Sequence, residues 1–326
     1  LMIAALIPAL LYFLSVYFMV DMEAARTGMK GLPAEELPRV GELARQAYLF
    51  VPILILIGAL FLGYSVIRAG TLALVAAVVA SWLTQHRLGL KGSAHALELA
   101  ARMSIQLIAV CAAAGIIVGV IGLTGIGLRF SSMLLTVAAN SQLLALFFAM
   151  GISILLGMGM PTTAAYAVAA SVVAPGLIQL GVSPLIAHFF VFYYAVISAI
   201  TPPVALAAYA GAAIAGSEPM RTSVTAFKFG LAAFIVPFMF FHHPTLLMEG
   251  EWHWIAINTL SALIGVYLLS ASVQGWYFGA VDKILRAALF VSALLTISGS
   301  LTTDFVGYAI AIAIFLWQKR PRRAQP

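Results

Sequence analysis

The groups best suited to bind an ion lie in two short segments, residues 157–163 and 198–203. The first segment reads GMGMPTT and the second reads SAITPP, and each interrupts a long apolar run. No Asp or Glu occurs between Glu98 and Glu218, which argues against carboxylate catalysis and a carboxylate proton relay in this stretch. The remaining polar groups are hydroxyls and freed backbone carbonyls. These hard oxygen ligands suit Na⁺, which unwound transporter helices coordinate with carbonyls.

The prolines indicate where the chain must break. Proline has no N–H to donate and disfavours helix in the residue before it, so the pair Pro202 and Pro203 predicts a broken helix over residues 184–215. The break is expected to free the backbone carbonyls near Ile197–Ala199. A break at membrane depth is tolerated only against protein or a water-filled cavity. The half-helices that begin near Pro161 and Pro203 present partial positive charge at their N-terminal ends, which favours an anionic substrate.

Composition requires that these segments lie in a bilayer. Hydrophobic residues make up 63% of the 326 residues and charged residues 9%, and the mean hydropathy is +1.08. Soluble domains carry about 25% charged residues. The net charge of +6 is explained by basic loops rather than by nucleic-acid binding, and the single cysteine, Cys111, excludes a disulfide framework. We therefore predict an all-α, polytopic membrane protein with about eight transmembrane helices and one re-entrant helical hairpin.

Apolar runs of about 20 residues predict the spans. The predicted spans are 1–20, 47–67, 71–84, 104–124, the broken helix 184–215, 229–241, 254–272, 286–300 and 305–318. Residues 21–46 predict a solvated loop with a short amphipathic helix, 85–103 an interfacial helix and 125–140 a polar link. Residues 142–180 hold two short apolar arms around GMGMPTT, which predicts the re-entrant hairpin.

Basic residues predict the orientation. With the C-terminus in the cytoplasm, nearly every basic loop lies on the cytoplasmic side, provided that both ends of the hairpin lie outside. The C-terminal anchor consists of Lys319, Arg320, Arg322 and Arg323. We divide the chain by role into scaffold-type helices (1–103), a transport-type region (104–216) and C-terminal helices (217–326).

A family resemblance rests on the two breaks. The run 155–216, which contains GMGMPTT and ITPPVALAAYA, closely resembles the C-terminal hairpin and broken helix of the large membrane subunit of TRAP (tripartite ATP-independent periplasmic) transporters. Residues 7–33, 219–240, VQGW at 273–276 and TTDFVG at 302–307 resemble the variant in which small and large membrane subunits are fused. The resemblance covers nearly the whole chain.

The resemblance implies an elevator-type carrier in the cytoplasmic membrane of a bacterium or archaeon. A Na⁺ gradient drives such carriers, a periplasmic binding protein delivers an organic anion, often a carboxylate, and no cofactor other than the coupling ion is needed. The first repeat and the fused small subunit are expected upstream of Leu1, so the chain would be one half of the carrier. The implied Na⁺ site comprises Gly157, Met158, Gly159, Met160, Pro161, Ser198, Ala199, Thr201, Pro202 and Pro203. The implied substrate contacts are Thr162, Thr163 and Tyr166.

Other functions remain open at the level of sequence. The runner-up is another ion-coupled carrier or channel that has broken helices but no binding protein. A non-transporting membrane assembly subunit is a further alternative. An intramembrane enzyme is disfavoured, because the sequence has no GxSxG, no HExxH and no paired intramembrane carboxylates. The prediction is therefore a transporter and not an enzyme.

Overall fold

The computed structural model describes residues 2–31, 33, 41, 46–83, 87–298 and 301–319. Regular structure in these ranges is helical and includes no β-strand, which confirms the predicted all-α class. The helices are α1 Leu6–Thr27, α2 Val51–Phe61, α3 Val66–Ser81, α4 Leu90–Thr124, α5 Ile126–Asn140, α6 Gln142–Gly157, α7 Thr162–Gln179, α8 Pro184–Ile197, α9 Leu206–Ala215, α10 Pro219–Gly230, α11 Val236–His242, α12 Trp252–Gln274, α13 Lys283–Ile297 and α14 Leu301–Lys319. The basic residues 320–323 lie outside the described residues.

The chain divides into two compact units. One comprises Leu1–Met29 and Ala109–Pro326, and the other comprises Lys30–Ile108. Helix α4 runs through the boundary between Ile108 and Ala109. The sequence predicted scaffold-type helices over 1–103, a transport-type region over 104–216 and C-terminal helices over 217–326. These roles stay predictions.

In the smaller unit, α2 and α3 pack against each other. The span boundary predicted at residue 67 is wrong, because the chain turns at residues 62–65. Gly63 has a φ of +81°, and Ser65 caps α3 by accepting the N–H of Arg68 at 3.3 Å. The predicted second span therefore ends at Phe61, and the third begins at Val66. Residue 84, the predicted end of that span, lies outside the described residues.

Helix α4 is one continuous helix of 35 residues, about 50 Å long. The predicted division into an interfacial helix over 85–103 and a span over 104–124 is wrong from residue 90 onward. No proline interrupts the polar stretch, and Arg102 pairs with Glu98 one turn earlier at 2.8 Å. The Ser104 hydroxyl donates to the Ala100 carbonyl at 2.8 Å, across the predicted boundary. Residues 85 and 86 lie outside the described part of the chain.

Helix α1 does not end at Asp21, as the sequence predicted, but continues to Thr27. The last turn is charged, and Arg26 pairs with Glu23 at 2.7 Å along the helix. Gly28, with a φ of +69°, ends the helix. The amphipathic helix predicted within 21–46 falls mainly on residues 34–40 and 42–45, which lie outside the described ranges.

Helices α6 and α7 form the predicted helical hairpin. They are separated by only residues 158–161, and Ala149 of α6 and Val173 of α7 line one small space with Leu134 of α5. The two arms therefore lie side by side. Their position in a membrane stays a prediction.

Residues 125–140, predicted to be a polar link, instead form helix α5, which packs against both arms of the hairpin. The small residues act as packing surfaces. A methyl group on Gly176 of α7 would lie 3.0 Å from Leu134 Cδ2 and 3.2 Å from Ser131 Cα of α5. Glycine and serine permit such close helix approach, so their presence does not indicate a loop here.

The break after α8 is covered by a bent pair of helices. Helix α10 and the segment 233–242 meet at 56°. Ile200 packs against Gly230 in this pair so closely that a methyl group on the glycine would lie 2.5 Å from Ile200 Cδ1. The buried Tyr194 hydroxyl of α8 donates to the Phe234 carbonyl at 2.6 Å. These contacts fix the end of α8.

The last three helices form a layer in which α13 packs against both α12 and α14. Helix α12 also packs against α1. The buried Gln274 amide, at the end of α12, donates to the Met19 carbonyl of α1 at 3.0 Å. It accepts a hydrogen bond from Lys228 Nζ of α10 at 2.7 Å. One side chain therefore joins α1, α10 and α12.

Many of the apolar helices expose large hydrophobic side chains, as expected for contact with lipid. Four described helices, α1, α4, α7 and α12, are each long and apolar enough to cross a membrane, and the bent pair would make five. Shorter apolar helices, including α6, α8 and α9, accompany them. The multi-helix membrane character is confirmed, and the predicted number of crossings stays a prediction.

Candidate functional site

The hairpin break is a tight turn of four residues. Helix α6 ends at Gly157, after which the Met158 N–H still bonds to the Ile154 carbonyl at 3.0 Å. Gly159 has a φ of +80°, a conformation that L side chains rarely adopt. Pro161 then precedes the first residue of α7, where its missing N–H has no cost. The GMGMP sequence therefore makes the turn that the apolar arms alone would not make.

The turn leaves several oxygen atoms free. Among the described residues, none donates a hydrogen bond to the carbonyls of Met158, Gly159 or Met160. Thr162 and Thr163 begin α7 and are exposed. The first N–H groups of α7 point back toward the turn, as at any helix N-terminus, and they carry partial positive charge there.

At the second break, fewer backbone carbonyls are free than the sequence predicted. The prediction was that the carbonyls of residues 197–199 would be free. The Thr201 hydroxyl donates to the Ile197 carbonyl at 3.0 Å, and the Thr201 N–H donates to the Ser198 carbonyl at 3.1 Å. In the part of the chain that the structure describes, only the Ala199 carbonyl of these three receives no hydrogen bond. The expectation of three free carbonyls is therefore wrong for two of them, because Thr201 folds back onto the last turn.

Beyond Thr201 the chain is irregular up to α9. The peptide between Pro202 and Pro203 is cis, and Ala205 has a φ of +35°. The Tyr209 hydroxyl of α9 donates to the Pro203 carbonyl at 2.7 Å. Helix α9 begins at Leu206, three residues later than the predicted start near Pro203.

The two breaks lie against each other. A methyl group on Gly157 would lie 2.7 Å from Ser198 Oγ and 3.2 Å from Ala195 Cα, so only glycine fits at this position. Gly159, at the turn, lies against the Val204 side chain. The structure thus brings together the two segments that the sequence singled out. Sequence alone did not predict which residues of the two segments meet.

Tyr166, predicted as a substrate contact, lies one turn into α7 and faces α8. Its hydroxyl is 2.8 Å from His188 Nδ1, and its ring packs edge-on against Phe192. Both Tyr166 and His188 line an open, mainly apolar cleft of about 330 Å³ beside the start of α1. His188 lies near the start of α8. Its pairing with Tyr166 is a contact between helices that no local pattern indicates.

The region around both breaks is neutral. No Asp, Glu, Lys or Arg lies between residues 130 and 217. The described residues also contain no group of three or more His, Cys, Asp or Glu that would hold a metal ion. Oxygen atoms of the backbone and of hydroxyl groups are the ligands that this region offers, and they match an alkali cation better than a transition metal.

Two broken helices that meet inside a bundle of apolar helices define a class of protein, the helical secondary carriers of membranes. Residues 1–250 match the family model described as "Tripartite ATP-independent periplasmic transporter, DctM component". This match covers more than half of the chain, and the chain belongs to that family. Comparisons with curated proteins and with solved structures give no match.

Family membership confirms the resemblance to the large membrane subunit of TRAP transporters. The protein is a TRAP-type permease, a membrane transporter whose family works with a periplasmic binding protein. The match includes the hairpin and the broken helix and ends before α12. The fusion of small and large subunits stays a prediction.

Proposed function

We propose that this permease imports an organic anion, a carboxylate by preference, and that Na⁺ drives the import. The observation that carries the proposal is the contact between the hairpin turn at Gly157 and the end of α8 at Ser198. This contact joins two chain segments that each contain oxygen atoms without a hydrogen bond. The region around them has no charged side chains. A cation bound there would supply the charge that the segments lack.

The ion would be held by oxygens from both breaks. The turn contributes the unbonded carbonyls of Met158, Gly159 and Met160, and the second break contributes the Ala199 carbonyl. The hydroxyls of Ser198 and Thr201 donate their protons to carbonyls, so each oxygen keeps lone pairs for a cation. Gly157, Pro161, Pro202 and Pro203 act by shaping the backbone, since they bring no polar side chain.

The anion would bind beside the ion, at the start of α7. Thr162 and Thr163 are exposed there, and their hydroxyls and the free N–H groups of the first turn favour negative charge. Bound Na⁺ would add a positive charge nearby, so ion and anion would bind cooperatively. Tyr166 would border this site while its hydroxyl remains paired with His188.

The carrier would work as an elevator in the cytoplasmic membrane, with its C-terminus in the cytoplasm and the binding protein on the opposite side. Both ends of the hairpin then face the binding protein. Cysteines placed singly at Asn140 and Gly181, in a Cys111→Ser background, test this orientation. An impermeant maleimide should label both from outside in intact cells. Labelling of either position only from the cytoplasmic side would contradict the proposed orientation.

Ion coupling can be tested without knowledge of the substrate. Purified full-length protein is melted in NaCl and in KCl at equal ionic strength. A ligand that binds only the folded state stabilises it by about 2.7 kcal/mol at 100 times its Kd. We expect Tm to rise with Na⁺ concentration and not with K⁺.

Uptake into proteoliposomes, with binding protein loaded with a carboxylate outside, tests the whole cycle. We expect uptake with an inward Na⁺ gradient and none with an equal K⁺ gradient. Equal uptake under both gradients would refute Na⁺ coupling. Uptake without any binding protein would instead favour a carrier of the runner-up type.

A further inference from the structure

A buried carboxyl group lies in the C-terminal helices, far along the chain from the two breaks. Asp304 sits in the first turn of α14, and 4% of its surface is exposed. The Ser261 hydroxyl of α12 donates to Asp304 Oδ2 at 2.8 Å. The other oxygen, Oδ1, is fully buried and has no hydrogen-bond partner among the residues that the structure describes. These residues lie beyond the part of the chain that matches the family.

For an ionised Asp304, the hydrogen bonds around this carboxyl group have one direction, because a carboxylate can only accept. Ser261 has one hydroxyl proton, and it is used on Asp304. The Tyr308 hydroxyl, 2.7 Å from Ser261 Oγ, must therefore donate to Ser261. The chain of donors runs from Tyr308 through Ser261 to Oδ2, and it delivers a single hydrogen bond to the carboxyl group.

The charged groups nearby do not neutralise Asp304. Of the described Lys, Arg and His side chains, none forms an ion pair with it. On α13, Arg286 bonds instead to the carbonyls of Ser272 and Val273. A ring nitrogen of His243, after α11, lies 2.6 Å from the Ser298 carbonyl. The other His and Lys residues of the helices in this layer lie at helix ends: His253, Lys283 and Lys319. Tyr267 is the remaining titratable residue of α12.

Packing around Asp304 leaves little room for a cation. Gly307, one turn after Asp304, lies so close to α13 that a methyl group there would be 2.6 Å from Thr296 Cγ2 and 2.9 Å from the Ser292 carbonyl. Gly265, one turn after Ser261, would bring a methyl group 2.7 Å from Ile297 Cγ1. A cation needs several more oxygen ligands than Asp304, Ser261 and Tyr308 supply. A proton needs no such space.

We propose that Asp304 is a proton-binding site, with a proton carried on Oδ1 at neutral pH. Water supplies the proton, and its binding changes no other covalent bond. The neutral acid leaves only one hydroxyl donor unpaired, whereas the ionised form would bury a charge that has one hydrogen bond. The N-terminus of α14 favours the ionised form, but this helix effect offsets only a small part of the cost of burial. The bound proton lets α12, α13 and α14 pack without a counter-ion.

Infrared spectroscopy of the purified full-length protein tests the proposal directly. A protonated carboxyl group has a C=O stretch that is distinct from that of a carboxylate. We expect this band at neutral pH in the wild type and its loss in Asp304→Asn. The matched control is Asp282→Asn, because Asp282 is exposed and caps the neighbouring helix α13. Asp282→Asn should keep the band.

A second variant keeps the test informative if Asp304→Asn folds poorly. Ser261→Ala removes the one hydrogen bond to the carboxyl group, so the band should remain and move in frequency. A wild-type spectrum without the band, or a band that neither variant affects, would overturn the proposal.

Thermal stability provides an independent measurement. A site that holds a proton only in the folded state loses stability as pH rises. The Tm of the wild type should therefore fall relative to that of Asp304→Asn between about pH 5 and about pH 8. The same pair is also compared in a His243→Gln background, which removes the imidazole, and the relative fall should persist. A constant difference between the two proteins over this range would refute proton binding.

Discussion

The two helix breaks and the C-terminal helix layer treat polar groups in opposite ways. At the breaks, the polar atoms belong mainly to the backbone, and at least four carbonyls receive no hydrogen bond from the described residues. In the layer formed by α12–α14, polar side chains bond to one another, as Ser261 does with Asp304 at 2.8 Å and with Tyr308 at 2.7 Å. Both regions bring glycines into close contact with a neighbouring segment.

The difference indicates that the polar groups of the two breaks are available to bind a ligand, whereas those of the C-terminal helix layer contribute to packing. Unpaired polar groups in lipid are costly, so they persist where water or a ligand satisfies them. The breaks keep such groups at exposed positions, including Thr162 and Thr163. The helix layer instead buries polar side chains and pairs several of them across helices, although the buried Thr259 Oγ1 and Asp304 Oδ1 have no hydrogen-bond partner among the described residues. Substitutions at the breaks should therefore affect ion coupling, whereas substitutions in the helix layer should affect only stability.

The largest effect is expected from replacing both Pro202 and Pro203 with Ala. Alanines at these positions have N–H groups that reach the Ser198 and Ala199 carbonyls in a continuous helix. The helix should then run through the break, and the variant should insert at least as well as the wild type, because lipid favours each restored bond. Na⁺-dependent uptake in proteoliposomes should be lost.

Insertion yield and thermal stability serve as controls for the double variant. Loss of folding together with loss of uptake would mean that the prolines are structural. Intact Na⁺-driven uptake in a well-folded variant would refute an ion site built from the backbone of the break.

Gly157→Ala should weaken Na⁺ binding by forcing the hairpin turn away from Ser198. Its methyl group would lie 2.7 Å from Ser198 Oγ. Overpacking of this kind costs about 1–3 kcal/mol, which corresponds to about 5–150-fold in an equilibrium. The Na⁺ concentration for half-maximal uptake should rise by a factor in that range. Gly151→Ala is the matched control, since no atom lies within 4 Å of its added methyl group. Equal effects of the two variants would contradict the contact.

Gly265→Ala applies the same kind of overpacking to the helix layer. The added methyl group would lie 2.7 Å from Ile297 Cγ1 and 2.9 Å from Thr296 Oγ1. Stability should fall by about 1–3 kcal/mol, measured as a lower Tm. The Na⁺ dependence of uptake should not change in the protein that remains folded. A change in Na⁺ dependence would show that the layer is coupled to the ion site.

Thr201→Val should have the smallest effect. The substitution keeps the shape of the side chain and removes the hydroxyl that donates to the Ile197 carbonyl. If this oxygen is an ion ligand, the half-maximal Na⁺ concentration should rise several-fold, as expected for a lost hydrogen bond or ligand of about 1 kcal/mol. An unchanged Na⁺ dependence would exclude the hydroxyl, while leaving the carbonyl groups of the break as ligands.

The sequence predicted both breaks because their causes are local. Pro202 and Pro203 remove two donors wherever they stand, and GMGMP combines two glycines with a proline. The helix class and the membrane setting follow from composition in the same way. By contrast, the contact between Gly157 and Ser198 joins residues 41 positions apart, and nothing in either segment specifies it.

The element boundaries that were predicted wrongly involve residue types that occur in more than one structural context. Gly127, Ser131 and Ser132 suggested a link over 125–140, but small residues also let α5 pack closely on α7. Asp21 suggested a helix end, yet the helix continues through the pair formed by Glu23 and Arg26. Gly63 is a true turn glycine, with a φ of +81°, although it lies within an apolar run. Local sequence does not distinguish these cases, because the neighbouring helix decides them.

The Gln274 side chain has a consequence for motion. Its amide bonds to the Met19 carbonyl and to Lys228 Nζ at 3.0 Å and 2.7 Å, and hydrogen bonds of this kind weaken steeply beyond about 3.2 Å. Sliding of α12 against α1 or α10 by even one ångström would therefore break at least one of them inside a buried site. We therefore expect the parts of α1, α10 and α12 that Gln274 joins to move together. We expect any hinge to lie elsewhere in the chain, for example at residues 201–205, which have no regular helical structure.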